Sequence, residues 1–322
     1  MRRTALAVAA IGFLTACTPP GKRTALECVA PANPGGGWDL TCRATAQILH
    51  EQALIPRPMR VTNLPGAGGG IAYANAVARR AGDAGVIVAA SPATTLRLAQ
   101  GQYGDLTHED VRWLAALGAD YGVIAVPYDA QWSTLETLLD AWRRDPGHLV
   151  VGGGSAVGGQ DHMKVLVLAR AAGIEPRQIR YVPFDGGGEA ITTMLGGFIH
   201  IFSGDATEVR AQLEARNVRV LAVLAPERVD GMLADVPTAR ELGYDVDWVT
   251  WRGFYAPPGA SEQEYDEWIA ALRTLEQSDA WATARTRTGL APFYRGGQEF
   301  ERLVSAQVET FRVLSAELGL RN

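Results

Sequence analysis

Ala30-Pro31-Ala32-Asn33-Pro34-Gly35-Gly36-Gly37-Trp38-Asp39 is the stretch from which the rest of the chain can be read. It follows a short apolar run, Cys28 to Ala30, that reads as a strand. Leu40, Ala44 and Ile48 come next, spaced four apart as on one face of a helix. The stretch is therefore a strand-to-helix turn. Three consecutive glycines let the backbone approach a bound group closely, and the first amides of the following helix point outward with the positive end of its dipole behind them. Such a turn suits a carboxylate or phosphate, although turn geometry alone also produces glycine-rich β-α loops. Repetition favours the first reading. Pro65-Gly66-Ala67-Gly68-Gly69-Gly70, Gly152-Gly153-Gly154-Ser155 and Asp185-Gly186-Gly187-Gly188-Glu189 each follow an apolar run and precede a helical pattern.

Working outward, Met59 to Asn63 and Val86 to Ala90 read as further strands, the second continuous and apolar as in a parallel sheet covered on both faces. It ends at Ser91-Pro92, with Pro92 suited to the first position of a helix, so Ser91 is a hydroxyl at a strand's carboxyl end. From Trp113 to Pro127 the chain crosses into a new unit. There Ser133-Thr134-Leu135-Glu136 reads as a capping box, and Leu149 to Val151, Ile179 to Phe184, Ile199 to Phe202 and Val218 to Leu224 read as strands. Asp205 and Glu208 have capping-box spacing. Past Trp248 to Tyr255 and Pro257-Pro258-Gly259, three helical stretches carry apolar stripes such as Tyr265, Trp268, Ile269 and Leu272, which is core packing. Helices without strands must pack back on an existing sheet. The expected organisation is therefore a first domain of residues 27–120 and 252–322, with a second domain, 121–251, inserted and including the crossing strands.

At 322 residues, 47% hydrophobic and with a net charge of −5, the chain has the size and balance of a two-domain globular protein. No basic stripe is present, which argues against a nucleic-acid partner. Arg2 and Arg3, then Ala5 to Leu14, read as a signal segment too short to span a bilayer. Leu14-Thr15-Ala16-Cys17 has the form of a bacterial lipoprotein signal. The expectation is an exported protein lipid-anchored at Cys17, with residues 1–17 as signal and 18–26 as tether; ordinary signal cleavage nearby is the alternative. Cys28 and Cys42 flank the first glycine loop. A disulfide would brace that loop, and two buried thiols are the other reading.

Several chemistries are missing from the sequence. Lys22 and Lys164 are the only lysines and neither sits in a phosphate-loop motif, no glycine cluster completes Gly-x-Gly-x-x-Gly, and the five histidines lack zinc-site spacing. No cofactor or metal is implied. The best enzyme reading makes Ser155 a nucleophile helped by His162 and Asp205, but Val157 stands where a nucleophile elbow requires Gly. The competing reading has Ser155 donate its hydroxyl, with neighbouring amides, to a ligand carboxylate. Asp39 is awkward beside an anion, so it either caps its own helix or accepts from a ligand hydroxyl or ammonium. Arg252, beside Trp251, is the candidate cation for a second carboxylate.

These motifs together resemble the substrate-binding components of tripartite tricarboxylate transporters, the TctC or Bug-type periplasmic receptors. The resemblance is carried by Ala30 to Asp39, Asn63 to Gly69, Gly154 to Gly159 with His162, Leu195-Gly196-Gly197, Asp235 to Thr238, and Trp251-Arg252-Gly253-Phe254 with Ala256 to Gly259. It implies an α/β type II periplasmic binding protein fold, with a ligand cleft between two domains that close over a carboxylated small molecule. It also implies a site at Asn33, Gly35, Gly36, Gly37, Trp38 and Asp39, facing Ser155, Val157, Gly158, Gly159 and His162. Ser91, Asp205 and Arg252 would stand nearby, and the Cys28–Cys42 pair fits the tricarboxylate-associated branch. The implied function is a non-enzymatic, monomeric receptor that delivers a citrate-like di- or tricarboxylate to large and small integral membrane permease subunits. A sensory receptor with a signalling partner, and a serine hydrolase using Ser155, are the alternatives.

Overall fold

The structure, a computed structural model, describes residues 25–320; the signal segment with Cys17, and most of the tether, lie outside them. Three strands open the chain, β1 (Glu27–Ala30), β2 (Arg60–Asn63) and β3 (Val86–Ala90). They alternate with helices α1 (Gly37–Glu51), α2 (Gly70–Arg79) and α3 (Pro92–Ala99). All three strands are parallel, with β1 in the middle. Every residue of β1 and β3 is buried, as strands covered on both faces require.

Strand β4 (Arg112–Pro127) leaves this sheet and continues into a second one. Arg112 to Tyr121 pair antiparallel with β9 (Val249–Ala256), whereas Gly122 to Pro127 pair with β7 (Ile201–Asp205) and β8 (Val218–Leu224). The second sheet is completed by β5 (Val150–Gly153) and β6 (Arg180–Pro183), with helices α4 (Leu135–Arg144), α5 (Gln160–Ala171), α6 (Gly187–Leu195) and α7 (Ala206–Glu214) between the strands. Through β9 the chain returns to the first sheet, beside β3.

Helices α8 (Glu262–Glu276), α9 (Asp279–Thr288) and α10 (Gln298–Glu317) then cover that first sheet, and a short β10 (Arg295–Gly296) pairs with β4. On one face Tyr265, Trp268, Leu272 and Trp281 pack with Ile87, Leu114 and Phe254; on the other Phe300, Val304 and Phe311 pack with Tyr73, Trp113 and Trp251. The rings also spend their polar atoms usefully. Tyr265 Oη donates to the Trp113 carbonyl at 2.9 Å, and the indoles of Trp268 and Trp281 donate to the Ala84 and Leu117 carbonyls at 2.9 and 2.8 Å. A buried indole N–H needs such a partner, so these bonds fix where each helix sits on the strand ends.

Three local differences from the sequence reading have physical causes. The helix after the glycine loop buries Cys42, Thr45, Ala46, Ile48 and Leu49, while Leu40 is 50% exposed and Ala44 half-buried. Its inward face is turned because Cys42 is tied to Cys28 in a disulfide, with Cα atoms 5.7 Å apart. The cap of α4 is Thr134, which exchanges hydrogen bonds with Thr137, instead of a box between Ser133 and Glu136. Finally, the crossing at Trp113 to Pro127 is one continuous strand, since β9, β7 and β8 supply ladder partners along its whole length.

Candidate ligand site

The carboxyl ends of β1 and β3 in the first sheet, and of β5 and β7 in the second, lead into the loops that the sequence singles out, the position where ligands bind in open α/β sheets. The first loop, Pro31 to Gly36, is held by Asp39. Its Oδ2 accepts from the Gly35 amide at 2.9 Å and from Arg43 Nε at 2.8 Å. Its Oδ1 accepts from Asn63 Nδ2 at 2.8 Å, and Asn63 donates also to the Ala32 carbonyl at 2.9 Å. The Arg43 hydrogen bond is the largest contributor in holding the Asp39 carboxyl down at about 2, so it is ionised at any ordinary pH. With 1% of its side chain exposed, Asp39 ties the loop together and presents no oxygen to a ligand. Gly35 has φ +85°, a left-handed conformation that favours glycine and turns its amide toward that carboxylate. No side chain caps α1, so the amides of its first turn are left to a ligand or to water.

Across the cleft, Ser155 and its loop are built just as tightly. Ser155 Oγ accepts from the Asp161 amide at 2.9 Å, and the Ser155 carbonyl accepts from Tyr181 Oη at 2.7 Å. The His162 ring stacks on Tyr181 with centroids 4.5 Å apart, and its Nδ1 accepts from the Gly158 amide at 3.0 Å. Burial pushes the His162 pKa down to about 4, which keeps the imidazole neutral. A neutral ring whose Nδ1 holds a backbone amide and whose neighbour is a phenol is not poised against Ser155. The Ser155–His162–Asp205 arrangement of the hydrolase reading does not form.

Asp205 is occupied elsewhere. Lys164 Nζ, completely buried, donates to Asp161 Oδ1 at 2.8 Å and to Asp205 Oδ1 at 2.5 Å, and Thr250 Oγ1 donates to the same Asp205 oxygen at 3.0 Å. Burial opposes the charge on Asp205, but Lys164 and then Arg252 outweigh it and keep its pKa below the usual range. The same neighbours act on two further acids. Burial first, then the Asp205 charge, push Asp120 up to about 6 and Glu208 up to about 7.

Arg252 closes the circuit. Its NH2 lies 3.9 Å from Asp205 Oδ2, and its NH1 is 3.3 Å from where a side chain at Gly37 would begin. Glycine at position 37 therefore lets the guanidinium lie against the start of α1. An unbroken series of contacts runs from Ser155 through Asp161, Lys164, Asp205 and Arg252 to Gly37, joining the two sheets at their strand ends. Of the expected residues the structure brings Gly37, Ser155, Asp205 and Arg252 together in this series, while others are placed apart from it. Ser91 is buried and caps α3 by accepting from the Ala93 amide at 3.3 Å. The Gly158 carbonyl accepts from Gln100 Nε2 at 2.8 Å, which bolts the second loop to the end of α3. Asn33 and Val157 are exposed, and Trp38 is half-buried with its indole N–H unpartnered.

Sequence reasoning passed over Lys164, Asp161, Tyr181 and Gln100. Only Lys164 left a signal: a lone lysine in an apolar helical stretch has to find buried counter-charges. Among the described residues no group of His, Cys, Asp and Glu is placed to hold a metal ion, and no helix is long and apolar enough to cross a membrane.

Two α/β units joined by crossing strands, with glycine-rich helix starts meeting at their strand ends and a cation between them, define a two-lobed solute-binding receptor of the type II periplasmic binding fold. The sequence profile of the tripartite tricarboxylate transporter family receptor matches residues 43–320, and the chain belongs to that family. A protein from the tcbD-tcbE intergenic region of a Pseudomonas species is 28% identical over 331 residues, covering 99% of this chain and 95% of its own. The crystal structure of a TctC solute-binding protein from Polaromonas, without ligand, is 26% identical with a TM-score of 0.76 over 91% of this chain and 98% of that one. The R. palustris protein Rpa4515 with adipate shares the fold, with a TM-score of 0.77 at 21% identity over 92% of this chain and 97% of its own. Members of the family are periplasmic receptors for small carboxylates.

Proposed function

We propose that this receptor binds a small di- or tricarboxylate between its two halves, closes over it by a hinge at the crossing strands, and delivers it to a membrane permease. The observation that carries the reading is the position of Arg252, against the uncapped start of α1 on one side and facing Asp205 of the second sheet on the other. One ligand carboxylate is assigned to the amides of Gly35 to Gly37 and to the Ser155 loop. Lys164 and Thr250 take Asp205 Oδ1 while Arg252 reaches only Oδ2, at 3.9 Å, which leaves the guanidinium able to turn to the ligand. The adipate found in a structural neighbour is a ligand of the expected kind. We place the division between the domains close to the change of β4 partners at Tyr121 and Gly122, with residues 121–251 forming the second. The same reading gives Cys17 a lipid, which the mass of the mature N-terminus tests.

Function is tested by a thermal-shift panel of citrate, isocitrate, succinate, malate and adipate on the mature protein. A ligand at about 100 times its dissociation constant stabilises by roughly 2.7 kcal/mol. Gly36→Val drives methyl groups toward Ala32 Cβ and the Asn33 carbonyl, which lie 3.1 and 3.2 Å from where its Cβ begins, and should abolish the response. Ser155→Trp should do the same from the other lobe. Normal binding by both variants would remove the two loops from the site.

A further inference from the structure

Beside Gly37 and Arg252 a cavity of about 110 Å³ runs behind the start of α1 toward α9. That is several times the roughly 10–15 Å³ a single water needs, and enough for a carboxylate group. Its polar lining is Thr41, Thr207, Thr288, Arg252 and Arg285. All three hydroxyls spend their protons elsewhere: Thr41 donates to the Gly37 carbonyl at 2.7 Å, Thr288 to the Ala284 carbonyl at 3.0 Å, and Thr207 to Asp120. The donors left over are guanidinium N–H groups.

Arg285 is the unexplained member. Its Nε is buried with no hydrogen-bond partner, and among the described residues its side chain makes neither an ion pair nor a hydrogen bond. Its stem rests against Gly118, with Cδ 3.5 Å from where a Cβ there would stand. The negative end of the α9 dipole accounts for a basic residue in the last turn, but not for a guanidinium nitrogen turned away from water. Two arginines therefore line one small cavity, one with no counter-ion and the other with an ion pair stretched to 3.9 Å. Holding two partly buried guanidiniums of like charge beside one small cavity is unfavourable, and an anion between them relieves both.

We propose that this cavity holds the second carboxylate of the ligand, and that Arg285 makes the receptor selective for diacids over their half-esters. The inference rests on the carboxylate reading above, which supplies the first carboxylate at the glycine loops; Gly37 and Arg252 belong to both places. A wider cavity of about 690 Å³, bounded by α7 and residues 226–233, shares Thr207, Arg285 and Leu290 with the small one. Arg285 thus stands at an opening and not at a closed back wall, so diacids of more than one length fit.

Titration calorimetry of succinate, glutarate and adipate, each against its monomethyl ester, tests the assignment on the mature receptor and on Arg285→Gln and Arg285→Lys. The unaltered receptor should bind at least one acid about 10-fold or more tightly than its half-ester. Arg285→Gln should weaken the acid alone until the two differ by no more than about 2-fold, and Arg285→Lys should restore part of the preference. The ligand-free Arg285→Gln protein should melt no more than about 3 °C below the parent, since the charge it loses had only the α9 dipole to meet; an arginine held by structural contacts would lower it further. An unchanged ratio in Arg285→Gln, or a parent that binds acid and half-ester alike, overturns the proposal while leaving the receptor reading in place. A parent that binds none of the six compounds overturns both.

Discussion

Asp39→Asn separates the two roles a carboxylate beside an anion site can have. In the structure the carboxylate is the knot of the Pro31 to Gly36 loop, and its pKa is held at about 2 against an ordinary 3.8. That difference corresponds to about 2 kcal/mol of stability at neutral pH, an upper value because Arg43 is 53% exposed and its ion pair is screened. Because the folded pKa is the lower one, the contribution is fully present above the unfolded value and is lost as pH falls through the folded value. It should be nearly intact at pH 4.5, reduced by about 1 kcal/mol at pH 3, and gone below pH 2. Asparagine offers one acceptor where the carboxylate takes three donors, and its own NH2 would point at another donor. Urea unfolding of both proteins at pH 7, 4.5 and 3 reads the effect as a difference of midpoints, which cancels the titration of every other group. The expected difference is about 2 kcal/mol at pH 7 and about half that at pH 3. A difference that stays constant from pH 7 to pH 3, or that is below about 0.5 kcal/mol throughout, would refute the assignment of Asp39 to its own loop.

Lys164→Met strands Asp161 and Asp205 without their shared cation and should cost about 3–5 kcal/mol at pH 7. Without the lysine both acids titrate at raised pKa values, so the variant loses stability as pH rises and the deficit narrows in acid; a loss under about 1 kcal/mol would mean that the triad contributes little. Replacing Cys28 and Cys42 together by alanine removes a loop closure of 14 residues and should cost about 3 kcal/mol, and a reducing agent should then lower the melting temperature of the parent but not of the variant. Equal sensitivity to the reductant would show that the bond does not hold the loop.

Much of the architecture was legible because local rules agreed with the global fold. The strand at Val218 to Leu224, the Ser91-Pro92 helix start and the return of the C-terminal helices to the first sheet each have a strong local signature in apolar runs, caps and stripes. The inward face of α1 was not legible, since spacing among Leu40, Ala44 and Ile48 says nothing about a cross-link that turns Cys42 inward. In the site, the glycine loops announced themselves through repetition. The wiring between them did not. Asp161, Lys164, Asp205 and Thr250 meet only when two strands and a helix are assembled, and a pairing decided by tertiary approach leaves no periodicity in the chain. Arg285 was silent for the same reason: in sequence it is one of several arginines near a helix end, and only packing shows that it lacks a partner.

The order in which the first sheet receives its cover has a consequence in time. Tyr265 and Trp268 bond to backbone atoms 152 and 184 positions earlier, and Gln307 bonds to Thr95 across 212 positions. Strands made near the start of the chain therefore stay uncovered until α8 to α10 have been synthesised, and contacts of such long separation are slow to form. The small Cys28–Cys42 loop can close early, but the core around it cannot. A chain that is unable to finish its first core before its last helices emerge stays loose while it is being made, which is the state in which a polypeptide can still be threaded through a narrow export channel.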